Sequence, residues 1–353
     1  MQKARDVLEE RNSDVPLPPP RVIGIIYNLK KGSHSADVPD IEAEYDNFDT
    51  VLSIKRALEG GGFTVVALEA DASLPEKLSK ATIDLAFNIA EGTKGRGREA
   101  QIPALLNMLG IPFVGSDETT LCLALDKALT KRVVASYHIR TPKYEVIKKD
   151  EPLNIKSRHF PVIVKPNAEG SSKGISEISI VSSREELRAI AMRNIGLYGG
   201  DMLAEEYIEG REFTVGILGN GKETRVFPPM EIIFQKETQG SYHVYSYPVK
   251  QDYKNYVTYS CPASLSEREL EEMTAAARRI YEILGCRDFA RMDFRMSQDG
   301  KIYFIEVNPL PGLAPNYSDY PMLAEFCGTD YDTLVLSVLN AAIERLSLER
   351  IAG

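Results

Sequence analysis

The chain has 353 residues, 43% of them hydrophobic, enough for two or three domains with cores of their own. A formal net charge of −9 argues against nucleic acid as the main partner, because a phosphate backbone demands a basic footprint. No apolar run reaches membrane-spanning length, the N-terminus lacks a signal core, and Cys122, Cys261, Cys286 and Cys327 show no C-x-x-C spacing, so the sequence reads as a soluble cytoplasmic protein with free thiols.

Residues 1–20 are charged, end in P-L-P-P-P and read as a mobile arm, with at most a helical turn over Ala4–Arg11. Residues 21–117 alternate strands with helices. The strands are V-I-G-I-I-Y, F-T-V-V-A-L, I-D-L-A-F-N and I-P-F-V-G-S; the helices are Asn47–Leu58 and 99–109, the latter closed by Gly110. That alternation predicts a doubly wound parallel sheet, whose ligands sit at the strands' carboxyl ends: Asn28–Lys31, Asn88–Gly97 and Gly115–Ser116.

Residues 118–198 predict a small α+β unit: one helix over Thr119–Ser136, strands near Lys143–Ile147 and Pro161–Lys165, the loop Glu169–Gly174, a strand Ile175–Val181 and a helix Ser183–Asn194. Residues 199–353 begin with the strands L-A-E-E-Y-I and F-T-V-G-I-L. The stretch 236–260 has little periodicity and reads as an active-site lid. A helix over Ser266–Leu284, two strands joined by Q-D-G-K and a helix over Tyr331–Arg345 complete the chain.

Those two strands, R-M-D-F and F-I-E-V-N, carry the strongest chemical signal. Q-D-G-K is a hairpin turn that brings Asp293 close to Glu306 and Asn308. Carboxylates in buried strands need a cation or hydrogen bonds. Oxygen donors without His or Cys suit magnesium, which also takes water and phosphate oxygens. Arg291 shares the face of Asp293 and can neutralise charge that develops during acyl or phosphoryl transfer. Lys165 closes the apolar run P-V-I-V-K-P. The loop after it can wrap phosphate with its N–H groups or serve as an ordinary turn. Glu205, Glu206 and Glu212 lie in or beside apolar strands, whereas Glu209 reads as a solvated charge. Lys127 and Lys250, taken alone, read as solvated lysines.

Four segments together go further: V-I-V-K-P-N-A-E-G-S-S-K-G, E-Y-I-E-G-R-E-F-T-V, Y-S-C-P-A-S-L, and R-M-D-F through F-I-E-V-N-P-L-P-G. In this order the chain resembles the ATP-grasp ligases, most closely the D-alanine–D-alanine ligases, from about Arg21 to Arg345. The resemblance implies an ATP-grasp fold: a parallel-sheet domain, a central α+β domain and a C-terminal antiparallel-sheet domain. It implies ATP, magnesium (manganese as a substitute), two amino-acid substrates, a homodimer and a place in peptidoglycan precursor synthesis.

By the same resemblance Lys127, Lys165 and Lys250 contact ATP phosphates, and Ser171 and Ser172 belong to the phosphate-grasping loop. Glu205 reads the adenine amino group beside backbone from Glu206 to Ile208, and Glu212 binds the ribose. Asp293, Glu306 and Asn308 hold magnesium. Arg291 and the Gly312 N–H stabilise the tetrahedral oxyanion, and Ser318 lies near the second substrate's carboxylate. The substrate end departs from the family pattern. Glu44 is the counterpart of the glutamate that binds the first amino group, N-I-A-E-G-T-K-G-R-G-R-E-A replaces H-G-x-x-G-E-D-G, and Gln251 follows the lid lysine, leaving Tyr247 or Tyr253 to supply the usual aromatic ring. Alternatives are a ligase making another dipeptide or a depsipeptide, an ATP-grasp kinase of a small acceptor, and a catalytically dead nucleotide-binding module.

Overall fold

A computed structural model of the chain describes residues 20–32, 42, 45–149, 151, 160–169, 179–235, 242, 245, 249–250 and 252–352, with side chains to residue 347. The arm over residues 1–19, Glu44, Ser171, Ser172, Tyr247 and Gln251 lie outside these residues.

The first sheet is parallel. Strands β1 (Val22–Tyr27), β2 (Thr64–Glu69), β3 (Leu85–Asn88) and β4 (Phe113–Val114) stand in the order β2-β1-β3-β4. Helices α1 (Phe48–Gly60), α2 (Leu74–Lys80) and α3 (Gln101–Leu109) connect them; α2 has no counterpart in the sequence reading. The order reverses between β1 and β3, which opens a crevice at their carboxyl ends. Two buried asparagines shape it: Asn28 donates to Ala70 O at 2.8 Å and accepts from Gly92 N at 3.0 Å, and Asn88 accepts from Ala90 N at 3.2 Å.

The helix expected over Thr119–Ser136 is two helices, α4 (Glu118–Leu125) and α5 (Lys127–Ser136). Asp126 breaks them apart with an extended ψ of 95° and caps α5, its carboxylate accepting from Leu129 N at 2.9 Å. Asn167 docks on this cap, donating to Asp126 at 2.8 Å and accepting from Ala128 N at 3.0 Å. An Asx cap competes with helix continuation, which accounts for the break. Strands β5 (Tyr144–Ile147), β6 (Val162–Pro166), β7 (Ile180–Val181) and β8 (Met202–Glu206) form an antiparallel sheet in the order β5-β8-β6-β7. Helix α6 (Arg184–Tyr198), capped by Ser183, covers it and runs past the expected end at Asn194 to Tyr198.

The third sheet comprises β9 (Gly210–Leu218), β10 (Arg225–Val226), β11 (Met230–Phe234), β12 (Val257–Ser260), β13 (Phe289–Ser297) and β14 (Ile302–Asn308). Its antiparallel path is β12-β11-β9-β13-β14, with β10 beside β9. The end of the expected lid segment 236–260 is therefore not loop. Thr258 and Tyr259 pair with Ile233 and Ile232, which satisfies their backbone groups in a sheet. A short helix α7 (Tyr253–Tyr256) precedes β12.

Alternation decides which face of this sheet is chemical. Phe213, Val215 and Ile217 of β9 and Ala290, Met292 and Phe294 of β13 share a core with helix α8 (Glu267–Leu284). Successive strand residues point to opposite faces, so Thr214, Arg291 and Asp293 face the other way. Helix α8 begins with a capping box between Ser266 and Glu269 and ends at left-handed Gly285. Helices α9 (Asp319–Phe326) and α10 (Tyr331–Ala352) close the fold; α10 continues past the expected Arg345 and packs with α1 in the core of the first sheet. Arg345 has a reason to stay helical: its guanidinium donates twice to fully buried Asp288 at 2.8 Å and once to Phe113 O at 3.0 Å. Among the described residues no helix is long and apolar enough to cross a membrane.

Candidate active site

From its turn the hairpin β13–β14 pairs Met296 with Ile302 and Phe294 with Phe304, and one extra residue on β14 then shifts the register. Asp293 stands opposite Glu306 and Arg291 opposite Asn308, with an irregularity just after Asp293. Arg291 donates to Asp293 through Nε at 3.1 Å and Nη2 at 2.9 Å, and Thr214 Oγ1 donates to Asp293 at 2.8 Å. Asn308 Oδ1 accepts from Leu310 N at 3.1 Å. Burial would raise the Glu306 carboxyl, but Lys127, Lys165, Lys250 and Arg291 outweigh it and hold the group at about 2. A carboxylate this strongly ionised suits cation binding.

These residues pass a chemical test for magnesium. Two carboxylates and an amide oxygen share one face, all hard donors. Among the described residues no group of three or more His, Cys, Asp or Glu side chains could cage a metal. Magnesium takes further ligands from water and phosphate.

Lysines gather opposite the hairpin. Lys127, first residue of α5, donates to Glu169 O and lies 3.7 Å from Glu306. Lys165 on β6 sits 3.5 Å from Glu205 Oε2. Sequence reasoning missed the third, Lys131, one turn beyond Lys127 on the same helix face. It is fully buried, donates to Ile305 O at 2.6 Å and lies 3.1 Å from Glu205 Oε2. Burial pushes its ammonium down to about 8 against the pull of Glu205. The spacing of Lys127 and Lys131 was the available signal.

Two neighbouring cavities flank this cluster. Lys165, Glu205, Glu206, Tyr207, Ile208, Glu212, Asp293, Arg295 and Glu306 line the first. Glu205 turns its carboxylate onto two lysines there. Glu212 accepts from Arg295 Nη1 at 2.7 Å, and Ile208 O accepts from Arg295 Nε at 2.7 Å. Burial raises the Glu212 carboxyl, while Arg295 opposes the rise. Arg295 also went unrecognised, although its place two residues after Asp293 puts it on the same face.

The second cavity joins the end of the first sheet to the third. Its walls include Lys30, Asp46, Glu91, Tyr245, Lys250, Arg291, Asn308, Gly312, Ser318 and Asp319. Tyr245, Lys250 and Asp319 line both cavities. A Cβ on Gly312 would come within 2.8 Å of Ser318 Oγ, so this backbone position is closely packed. Ser318 Oγ accepts from Ala314 N at 3.2 Å. Glu44 lies outside the described residues, but Asp46 is in the wall. Burial pushes the Asp46 carboxyl up to about 7, with Lys30 opposing. Asp46, Tyr245 and Asp319 were all missed, although Asp46 lies two residues after Glu44 and Asp319 directly after Ser318.

The chain matches the family model for the D-ala D-ala ligase C-terminus over residues 133–340. It is 35% identical to a D-alanine–D-alanine ligase of Aquifex aeolicus over 82% of this chain and 94% of that protein. It is 31% identical to one of Citrifermentans bemidjiense over 90% of this chain and 98% of that protein. Its fold is that of a Bacillus anthracis D-alanine–D-alanine ligase solved in complex with ATP: TM-score 0.72 at 24% identity, covering 93% of this chain and 99% of the other.

Proposed function

Because the chain belongs to the D-alanine–D-alanine ligase family, we propose that it is an ATP-dependent ligase that joins two D-alanine molecules for peptidoglycan precursor synthesis. The observation that carries this reading is the shared wall of the two cavities. A nucleotide pocket rimmed by lysines and a pocket with paired charges for zwitterions meet at Tyr245, Lys250 and Asp319.

In the first step the donor carboxylate takes the γ-phosphoryl group of ATP, giving an acyl phosphate and ADP. In the second the acceptor amine attacks the acyl carbon, phosphate leaves and the nitrogen loses a proton. Lys127, Lys165 and Lys250, with Ser171 and Ser172, hold the triphosphate. Glu205, Glu206 and Ile208 form the adenine wall, and Glu212 takes the ribose. Magnesium on Asp293, Glu306 and Asn308 neutralises phosphate charge when bound. Arg291 and the Gly312 N–H stabilise the tetrahedral oxyanion, and Ser318 takes the acceptor carboxylate. Asp46, or Glu44, receives the donor ammonium. The lid segment ahead of α7 and β12 excludes water from the acyl phosphate. The protein thus works by positioning and charge stabilisation.

The domain division 1–20, 21–117, 118–198 and 199–353, a homodimer and a cytoplasmic location complete the proposal. Sedimentation velocity tests the homodimer. The reaction is tested by incubating the purified chain with ATP, magnesium and D-alanine, following ADP and product mass. Condensed D-alanyl-D-alanine in step with ADP supports the ligase; phosphorylated acceptor without condensation would make it a kinase.

A further inference from the structure

The roles above leave one buried carboxylate in the site without a task. Asp319, first residue of α9, is 6% exposed. Its Oδ1 accepts from Tyr245 Oη at 2.9 Å, and Tyr245 Oη is 2.6 Å from Tyr259 Oη. Its Oδ2 lies 3.4 Å from Arg291 Nη1 and 4.0 Å from Lys250 Nζ. A carboxylate in such a place is costly unless its lone pairs meet donors, and here a phenol and two cations hold it. Burial raises both the Tyr245 and Tyr259 phenols, which keeps them protonated as donors.

The charges of the substrate cavity fall at two poles. Asp46 and Glu91 stand with Lys30 in the wall near the first sheet; Asp319 stands beside Arg291 at the Gly312 end. Two amino acids bring two ammonium groups. The donor's suits the first pole. The acceptor nitrogen must approach within roughly 3–3.5 Å of the carbon whose oxyanion Arg291 holds. A cation arriving there meets Arg291 and Lys250, which repel it unless an anion intervenes. Asp319 is the acid already hydrogen-bonded to Arg291 on the side of this cavity.

Resting on the ligase reading, the geometry points to Asp319 as the residue that recognises the acceptor's ammonium group, so that the enzyme selects amine over hydroxyl acceptors. Tyr245 and Tyr259 position it. An ammonium gains from the carboxylate a charge-assisted hydrogen bond that a neutral hydroxyl does not, so the site favours the amine acceptor.

The test uses the full chain with ATP, magnesium, D-alanine as donor, and D-alanine and D-lactate as competing acceptors, with dipeptide and depsipeptide separated by mass. The unaltered protein is expected to favour dipeptide by more than about a hundredfold. Asp319→Asn should raise the acceptor KM for D-alanine and lower the dipeptide-to-depsipeptide ratio by at least about tenfold, while the donor KM holds. Asp319→Glu should restore part of the ratio. An ATP-dependent rise in Tm shows that each variant is folded. An unchanged ratio in Asp319→Asn overturns the proposal whatever happens to kcat, since a residue that merely braces Arg291 would slow both acceptors alike. If that variant does not fold, the unaltered protein decides: a preference for amine below about tenfold overturns the proposal. No condensed product with either acceptor refutes the ligase reading itself, and this proposal with it.

Discussion

Lys131 Nζ and Glu205 Oε2 lie 3.1 Å apart with both side chains sealed from solvent. The pair joins α5 to β8 behind Lys165, so the lysine that lines the first cavity stands on a buried electrostatic support. Removing one partner of such a pair strands the other charge, at a cost of about 3–5 kcal/mol. Glu205→Gln should lower unfolding stability by that order, and Lys131→Met in the same chain should recover part of the loss, since Lys165 still lacks its partner. Denaturant melts of the single and double variants check this; additive losses would disprove the coupling.

The sign of the lysine's pH dependence follows from its direction. With an ammonium lowered from 10.5 to about 8, the unfolded chain binds the proton more tightly than the folded one. The burial penalty is complete below about 8 and fades as pH rises through 10.5.

Metal dependence is the second expectation. Chelation should abolish turnover, and magnesium or manganese should restore it. Glu306→Gln should reduce kcat by about 10²–10³, because it removes an anionic donor from the hairpin and leaves Lys127 without its nearby carboxylate. Wild-type kcat in that variant would remove Glu306 from the metal site.

Asp46 gives the third. Its carboxyl is raised from 3.8 to about 7, so the folded state holds a proton that the unfolded state releases between these values. Ligand-free stability should fall as pH rises across that interval and then level off. The side chain keeps some exposure, so the effect is about 1–2 kcal/mol. Asp46→Asn should abolish the slope, stabilise the ligand-free protein at about pH 8, and raise the donor KM. Chemical denaturation across pH with donor-dependent kinetics tests both halves; a steeper slope would contradict the assignment.

Gly312 gives the fourth. A methyl group there would meet Ser318 Oγ at 2.8 Å. Either the Ser318 hydroxyl gives up its bond from Ala314 N or the loop shifts, at about 1–3 kcal/mol, and both disturb the backbone around the Gly312 N–H. Gly312→Ala should lower kcat by about 10²–10³ while ATP binding persists, as kinetics and nucleotide titration would show. Full activity would separate this N–H from the oxyanion.

Local chemistry made much of this protein legible. The β13–β14 hairpin was readable because Q-D-G-K specifies a turn, but the turn's own register would set Asp293 opposite Ile305, and a one-residue shift in β14 puts Glu306 there instead. The parallel first sheet followed from strands alternating with helices, and the Ser266 and Gly285 stops of α8 from capping chemistry. The break at Asp126 was harder to see, because an Asp between two apolar helical runs signals a cap only once Asn167 arrives from a distant strand.

Amino-acid order alone therefore determined the strands of the first sheet, the Gly110 stop of α3 and the turn of the oxygen-rich hairpin, since turn, cap and alternation rules act over a few residues, whereas β10, β11 and β12 were not read from it. Tertiary structure decided the partners. Lys131 reads as a surface lysine until β8 brings Glu205 to it, and Asp319 reads as a helix-starting acid until β12, β13 and the segment carrying Tyr245 converge around it. The physical reason is that burial and long-range charge set what an ionisable group does, and neither is a property of its sequence neighbours.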